Sequence, residues 1–433
     1  MKPKYNKKKS PNGLKWRCDL DRSVIVENME ERKWEESLDN NDWNFGWIQV
    51  HLIKKIFHPS SKVRLGDFQL VNHFPNHWEL TRKDLLARNI KKFKKESEGE
   101  LITLVNGKKM ELSGSNLPET YIVPQEQSLF TEAFIKSNTK NWIFKPSGKS
   151  QGTGIQIINK ISQVRALPST VSSLRTQPGY SQEVFLVCRY IDNPFLLFGR
   201  KFDLRTYVLV TSYRPLKVWR YLGGFARVCF ENYSSLDGQA PSKENDPNKN
   251  LFQHLTNVSF QKASALYNNV HGGKFPFASL LLHMELNYGK DKLNKLLFEM
   301  DRIYLSALKA VQPAMVQDKH CFELYGFDIL IDSDLKPWLI EVNACPSLVS
   351  TTPADKRMKK KLFNNLINVV IPPNWLQSMN GGSSTCNEKK VDQFELLYDE
   401  TLDLLSGKSV RPKSSVRRAN SIAGNKNPVN PYC

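Results

Sequence analysis

Y-G-F-D-I-L-I-D-S-D-L-K-P-W-L-I-E-V-N-A-C-P-S-L, residues Tyr325 to Leu348, is the stretch from which the rest of the chain is read. It divides into two short apolar runs, Gly326 to Asp332 and Pro337 to Asn343, separated by the polar Ser333-Asp334-Leu335-Lys336, which is the pattern of a β-hairpin. With a turn of those four residues, Asp328 stands across from Glu341, and Asn343, two residues on, shares their face. Like charges directly opposite each other destabilise a hairpin, so a positive charge is expected between them. An all-oxygen set of Asp, Glu and Asn suits a hard cation, and Mg²⁺ typically takes one or two carboxylates and fills its shell with water and phosphate oxygens. Taken alone the hairpin leaves a second reading open, because a register slip of one residue would separate the pair and turn one carboxylate to solvent.

The chain has 433 residues, long enough for two or three domains with real cores, and at 40% hydrophobic and 11% aromatic it reads as globular. No apolar run approaches the roughly 20 residues of a membrane helix, so no membrane partner is expected. The start, M-K-P-K-Y-N-K-K-K-S, has no signal-peptide apolar segment, which points to the cytosol. Seven scattered cysteines, with no C-x-x-C, are expected as reduced thiols. The 62 Lys+Arg against 43 Asp+Glu, a net +19, call for anionic partners. No RNP1-like, KH, zinc-finger or recognition-helix pattern is present, so nucleic acid is not the expected one.

Five segments follow from the pattern of the chain: residues 1–13 a basic disordered arm, 14–118 an N-terminal α/β domain with a linker, 119–191 and 192–375 two further units, and 376–433 a linker, a short acidic helix and a basic disordered tail. The N-terminal domain is rich in Trp and ends in a helix near Arg82 to Lys95; Glu96 to Pro118 reads as linker or loop. His73 and His77 have zinc-like spacing, but a Pro lies between them and no further Cys or His lies nearby, which favours a structural role. In the second unit, strand Trp142 to Lys145 leads into P-S-G-K-S-Q-G-T-G and a second strand at Ile155 to Ile158. This is no P-loop, for the upstream Gly is missing and no helix follows, but a Gly-rich flap between two strands can donate backbone N–H groups to phosphates. Gln182 to Ile191 is another strand, whose backbone could read a nucleotide base. Along Gly199 to Val210, alternation sends Lys201, Asp203 and Arg205 to one face and Phe202 and Leu204 to the other. Phe277 to Val311 is largely helical, Asp355 to Val370 is a basic helix and Val391 to Leu405 is an acidic amphipathic helix.

A strand lysine, a glycine flap, a Lys/Asp/Arg strand and an acidic hairpin with Asn describe an ATP site with carboxylate-held Mg²⁺ and phosphates clamped between two sheets. That arrangement resembles the ATP-grasp fold, an α/β architecture. More specifically, I-F-K-P, the Gln-Gly-x-Gly flap, G-R-K-F-D-L-R, H-L-T-N and W-L-I-E-V-N-A-C-P-S-L resemble the tubulin–tyrosine-ligase-like family, and W-N-F-x-W with N-H-F-P-N-H-x-E-L-T-R-K is closest to its catalytic polyglutamylase branch. The resemblance spans roughly Trp16 to Pro373. It implies an ATP-dependent ligase that activates an acceptor carboxylate as an acyl-phosphate and joins it to the amine of an amino acid. It implies that Lys145, Lys201, Arg205 and Glu341 are catalytic. Lys145, Gln151, Gly152, Cys188, Arg189, Tyr190, Ile191, Lys201, Phe202, Asp203, Thr256 and Asn257 would bind ATP, and Asp328, Glu341 and Asn343 would hold Mg²⁺. Arg227 and Lys274 would grip a donor with an extra carboxylate, which favours free L-glutamate over glycine or tyrosine, with Gln151 near the acceptor. Cys345 stands where the family usually has Ser. The implied partners are tubulin, through its acidic C-terminal tails, microtubules, and accessory subunits, with action in the cytoplasm on the cytoskeleton at cilia or basal bodies. Basic runs at Lys91 to Lys95, Lys356 to Lys361 and Lys408 to Arg418 are candidate holds for such a tail.

Overall fold

The computed structural model describes residues 13–20, 22–37, 42–97, 99–114, 116–138, 141–149, 152–177, 183–236, 251–372, 375 and 388–405. Three larger sheets organise them. A four-stranded parallel sheet, in the order Glu35–Glu36, Lys15–Cys18, Phe45–Trp47, Leu70–Val71, forms the N-terminal part. A four-stranded antiparallel sheet, in the order Thr120–Val123, Phe185–Arg189, Trp142–Pro146, Gln156–Ile158, forms the middle. The largest sheet has eight strands, all antiparallel, with the path Pro337–Ala344, Glu323–Ile331, Arg200–Tyr213, Leu216–Val228, Phe394–Asp399, Lys390–Val391. Two short strands add to it: Leu196–Leu197 beside Arg200–Tyr213, and Lys274–Pro276 beside Leu216–Val228. The α/β class read from the sequence is the one observed.

Alternation explains which side of each sheet meets what. In the middle sheet Trp142, Phe144, Phe185 and Val187 pack under helices Gln127–Lys136 and Ile161–Arg175, so Ile143, Lys145, Leu186 and Cys188 face the other way, into a cleft. In the large sheet Phe202, Leu204, Val208 and Val210 pack under helices Phe277–Tyr288 and Lys290–Val311. The opposite face changes character along a single strand. Tyr207 and Leu209 are buried with Trp47, Phe322 and Phe363 beneath the N-terminal sheet and helix Pro353–Val370, whereas Lys201, Asp203 and Arg205 are the continuation of that face toward the cleft.

Three local readings are corrected by the fold and one, the helical 277–311 stretch, is refined. The Glu96 to Pro118 stretch holds a hairpin, Leu101–Thr103 with Lys109–Glu111, whose Ile102, Leu104, Met110 and Leu112 are core residues. Helix 277–311 is two helices broken at Gly289, whose φ of +84° suits glycine. Val391 to Leu405 is part strand and part helix: Phe394–Asp399 pairs with Leu216–Val228, and only Glu400–Leu405 is helical. The hairpin turn is also one residue wider than expected, since Ile331 pairs with Pro337. A bulge between Asp328 and Ile329 then restores the register, so Asp328 does face Glu341.

Candidate active site

The cleft between the middle and large sheets, about 1170 Å³, is lined by Lys145, Gly152, Cys188, Arg189, Tyr190, Ile191, Lys201, Asp203, Arg227, Thr256, Asn257, Asp328 and Glu341 among others. All thirteen are expected site residues, gathered from six separate sequence segments. Gln151 lies outside the described residues. Phe202, Arg205, Lys274 and Asn343 do not line the cleft. The Phe202 ring is on the core side, edge-on to Phe195 at 5.9 Å, as alternation requires.

Its large-sheet wall is a mesh of ion pairs. Register sets Arg205 against Asp328, Asp328 against Glu341, and Arg227 between Asp203 and Lys274. Arg205 donates to Asp328 through Nε at 2.5 Å and Nη2 at 3.0 Å. Arg227 donates through Nε to Asp203 Oδ1 at 2.8 Å and through Nη2 to Asp328 Oδ2 at 2.7 Å, with a second Nη2 contact to Asp203. Glycine at 326 leaves room for this packing, since a Cβ there would crowd Arg205 Cδ at 3.1 Å and Pro346 Cβ at 3.0 Å. The positive charge expected between Asp328 and Glu341 is thus supplied in part by the protein, and Lys83 adds to it at 2.8 Å from Glu341. Burial alone would raise the Glu341 carboxyl, but the Lys83 ammonium overrides it and holds the group well below the carboxylate range.

These residues also fit a hard cation. Asn343 Nδ2 stands 3.3 Å from both Asp328 Oδ2 and Glu341 Oε1, so the three side chains converge on one spot, and a half-turn of the amide presents an all-oxygen set there.

On the other flank, Lys201 is buried and donates to Tyr190 Oη at 2.8 Å, which in turn meets His254 Nδ1 at 2.9 Å. Burial pushes the Lys201 ammonium down to about 8 and the His254 imidazole to about 3, so His254 is neutral and Lys201 is poised near physiological pH. The middle-sheet wall contrasts with this. Ile143, Leu186, Cys188, Ala87 and Leu117 make it apolar, and the Lys145 ammonium has no ion pair or side-chain hydrogen bond with a described residue. A flat apolar wall beside strand backbone is suited to a nucleobase.

Sequence reasoning missed Lys83, Asp355 and Lys359. Lys83 opens helix Lys83–Glu96 and bridges Glu341 to the carbonyl of Lys149, 3.2 Å away at the root of the glycine loop. Asp355 gathers Lys274 at 2.5 Å and Lys359 at 3.2 Å, and Lys359 also donates to Val349 O at 2.5 Å. Burial pushes Lys359 down to about 8. The only hints were T-R-K-D beside the N-H-F-P text and a basic run that looked like surface. That run is corrected here. Lys356 pairs with Glu27 at 2.5 Å, Lys360 with Glu31 at 2.6 Å, and Lys359 is buried, which leaves Arg357 and Lys361 as its only members unpaired among the described residues. Lys91 pairs with Glu126 at 2.8 Å, and Lys408 to Arg418 lie outside the described residues. His73 and His77 are buried side by side with Glu323, their ligand atoms within 4.8 Å of one another; His73 Nδ1 is 2.8 Å from Glu323, which also accepts from the Phe74 N–H at 3.1 Å and Tyr325 Oη at 2.9 Å.

Known proteins resemble this chain over most of its length. The chain is 45% identical over 394 residues, 89% of its length and 93% of the relative's, to a probable alpha-tubulin polyglutamylase Ttll1 of Tetrahymena thermophila. It is 34% identical to a probable tubulin polyglutamylase TTLL9 of Bos taurus, over 85% of this chain and 80% of that one. It is 33% identical to tubulin polyglutamylase TTLL5 of Homo sapiens over 76% of this chain but 24% of that longer protein. With residues 61–378 matching the family model, a span that holds every cleft residue described above, the chain belongs to the tubulin-tyrosine ligase family.

Proposed function

We propose that this chain is an ATP- and Mg²⁺-dependent tubulin polyglutamylase, a ligase that joins L-glutamate to glutamate carboxylates of tubulin C-terminal tails. The observation that carries the reading is the charged end of the large sheet, where Asp328, Glu341 and Asn343 converge beside the cations Arg205, Arg227 and Lys83 at the mouth of an apolar cleft. Family membership and relatives named as polyglutamylases support it.

In this reading the base lies against Ile143, Leu186 and Cys188, and the phosphates lie between Lys145 and Lys201 with the glycine loop above them. Asp328, Glu341 and Asn343 hold Mg²⁺, which when bound neutralises charge on the transferring phosphoryl group. The protein's own share is positioning and electrostatics. Asp203 and Asp328 fix Arg227 so that its Nη1 group, which makes no hydrogen bond to a described residue, can reach a carboxylate of the donor. Lys274 and Lys359, collected by Asp355, present two more cations on the same side, an arrangement that suits an amino acid with a second carboxylate and has less use for glycine. The acceptor carboxylate takes the γ-phosphoryl group, and the donor amine then displaces phosphate from the acyl-phosphate. The net positive charge favours an acidic acceptor segment, and action on cytoskeletal microtubules, including those of cilia, with accessory subunits adding affinity, completes the proposal.

The test is incubation of the purified protein with MgATP, tubulin and each labelled amino acid in turn. Glutamate alone should be incorporated, and only with ATP. Incorporation of glycine or tyrosine in its place, or none with any donor, would reject the reading.

A further inference from the structure

We propose that Glu183 is a positioning residue that clamps the root of the glycine-rich loop, so that nucleotide affinity depends on a carboxylate that does not itself line the cleft. The inference rests on reading the cleft as an ATP site. Strand Trp142–Pro146 ends where the loop departs at Ser147. There the Ser147 N–H donates to Val184 O at 2.8 Å, and the Ser147 hydroxyl donates to Glu183 Oε1 at 2.9 Å. The Gly148 N–H donates to the same carboxylate oxygen at 2.6 Å. Arg175 Nε in turn donates to the Glu183 carbonyl at 3.1 Å, which fixes the clamp from behind. One residue further, Lys149 O accepts from Lys83 at 3.2 Å. Three successive residues at the root of the loop are therefore tied to two other parts of the chain, Glu183–Val184 and Lys83.

An anion that takes two donors from consecutive loop residues is what a phosphate oxygen would do in the same place, so Glu183 has two possible roles: stand-in for a phosphate, or clamp. Location decides between them. Pro146, Lys149 and Gly152 line the cleft, whereas Ser147, Gly148 and Glu183 do not. The Gly148 amide is committed to the side away from the ligand, and the carboxylate acts on backbone direction, not on the phosphates. The approach is close: a Cβ at position 148 would lie 3.2 Å from Oε2 and 3.4 Å from Oε1 of Glu183, so a side chain there would push the carboxylate back by a few tenths of an ångström.

Two measurements on the full-length protein test the clamp. Gly148 is solvent-exposed, so protection of its amide from hydrogen–deuterium exchange reports the bond to Glu183. Without nucleotide, Glu183→Ala should speed exchange in the peptide covering Phe144–Lys149, while Glu183→Gln, which keeps an acceptor oxygen, should retain most of the protection. In turnover, Glu183→Ala should raise KM for MgATP about tenfold, the scale of a charge-assisted hydrogen bond, and leave KM for the donor amino acid where it was. Glu183→Gln should recover most of that loss, which a gap left by a missing side chain would not predict. Unchanged exchange in Glu183→Ala, or equal shifts in both KM values, would overturn the proposal. Tighter MgATP binding by Glu183→Ala would overturn it too, by showing that Glu183 competes with phosphate. A wild-type protein that binds no MgATP would instead sink the reading of the cleft, and the exchange comparison would still decide the clamp.

Discussion

The two walls of the cleft are built on opposite principles. On the large-sheet wall every ionic side chain has a partner in the protein: Asp203 and Asp328 with Arg227, Asp328 with Arg205, Glu341 with Lys83. On the middle-sheet wall the surface is largely apolar, and Lys145, unlike Arg189 with its Glu119, has no such partner among the described residues. The difference teaches where function and stability coincide. Charges taken out of water must be paired to be tolerated, so the mesh proposed to order a metal and a donor also holds four strands of the sheet together. A lone lysine at the edge of an apolar wall carries no such duty, and its removal should cost binding alone.

The largest effect should come from Glu341→Gln, which keeps shape while removing one metal-ligand charge. Loss of several kcal/mol of charge stabilisation corresponds to about a thousandfold fall in turnover, while the melting temperature should fall less than in Arg227→Ala, because the amide makes no cavity and still offers Lys83 an acceptor oxygen. Wild-type turnover by this variant in a ligation assay at ordinary Mg²⁺ would break the idea that the mesh is catalytic. Arg227→Ala comes second and should strike both properties. It leaves Asp203 without a described partner and Asp328 with Arg205 alone, and breaking a buried pair costs about 3–5 kcal/mol. A fall in Tm alongside loss of donor binding is expected. If Arg227→Ala melts with wild-type and changes only KM for glutamate, the arginine is a donor ligand and not a structural member of the mesh.

How much of this was legible in the sequence depends on how local each signal is. Alternation along one strand was enough to separate Lys201, Asp203 and Arg205 from Phe202 and Leu204, because period-two geometry needs no information from elsewhere. The Asp328 and Glu341 pair was found with a register that was wrong by one at the turn, and the bulge at Ile340 cancelled the error. No residue in the hairpin announces that bulge. Lys83, Asp355 and Lys359 were out of reach because each arrives from a helix whose docking is non-local. The Lys356 to Lys361 run failed similarly: charge counting cannot see Glu27 and Glu31 on helix Arg22–Glu31. Val391 to Leu405 has apolar residues at helical spacing, but an open edge beside Leu216–Val228 claimed Phe394–Asp399 as a strand, tertiary pairing prevailing over local period.

Lys145→Ala sharpens the comparison from the other wall. Loss of one charged contact to phosphate should raise KM for ATP roughly tenfold to a hundredfold, and Tm should stay within about a degree, since no buried partner is stranded. A calorimetric scan beside the kinetic assay checks both halves, and a large drop in Tm would erase the distinction between the walls.

The smallest expected effect is one of pH, and it falls on Lys201, a cation of the charged wall that donates to a phenol, itself bonded to a neutral imidazole, where Arg205, Arg227 and Lys83 meet carboxylates. Burial lowers its ammonium from the ordinary lysine range to about 8. A lowered lysine pKa means the charge is present below that value and lost as pH rises through it, so phosphate attraction should weaken from pH 7 to pH 9 while Arg205 and Arg227, whose guanidinium groups are raised, stay charged throughout. KM for MgATP should therefore rise a few-fold across that interval, at constant ionic strength, with KM for glutamate rising less. The control is Lys201→Arg, which cannot titrate in this range: whatever its absolute affinity, its KM for MgATP should be flat between pH 7 and 9. A slope that persists in Lys201→Arg would assign the titration to Lys359, which is also lowered to about 8 and lies on the donor side, and then KM for glutamate should carry the larger share of the change.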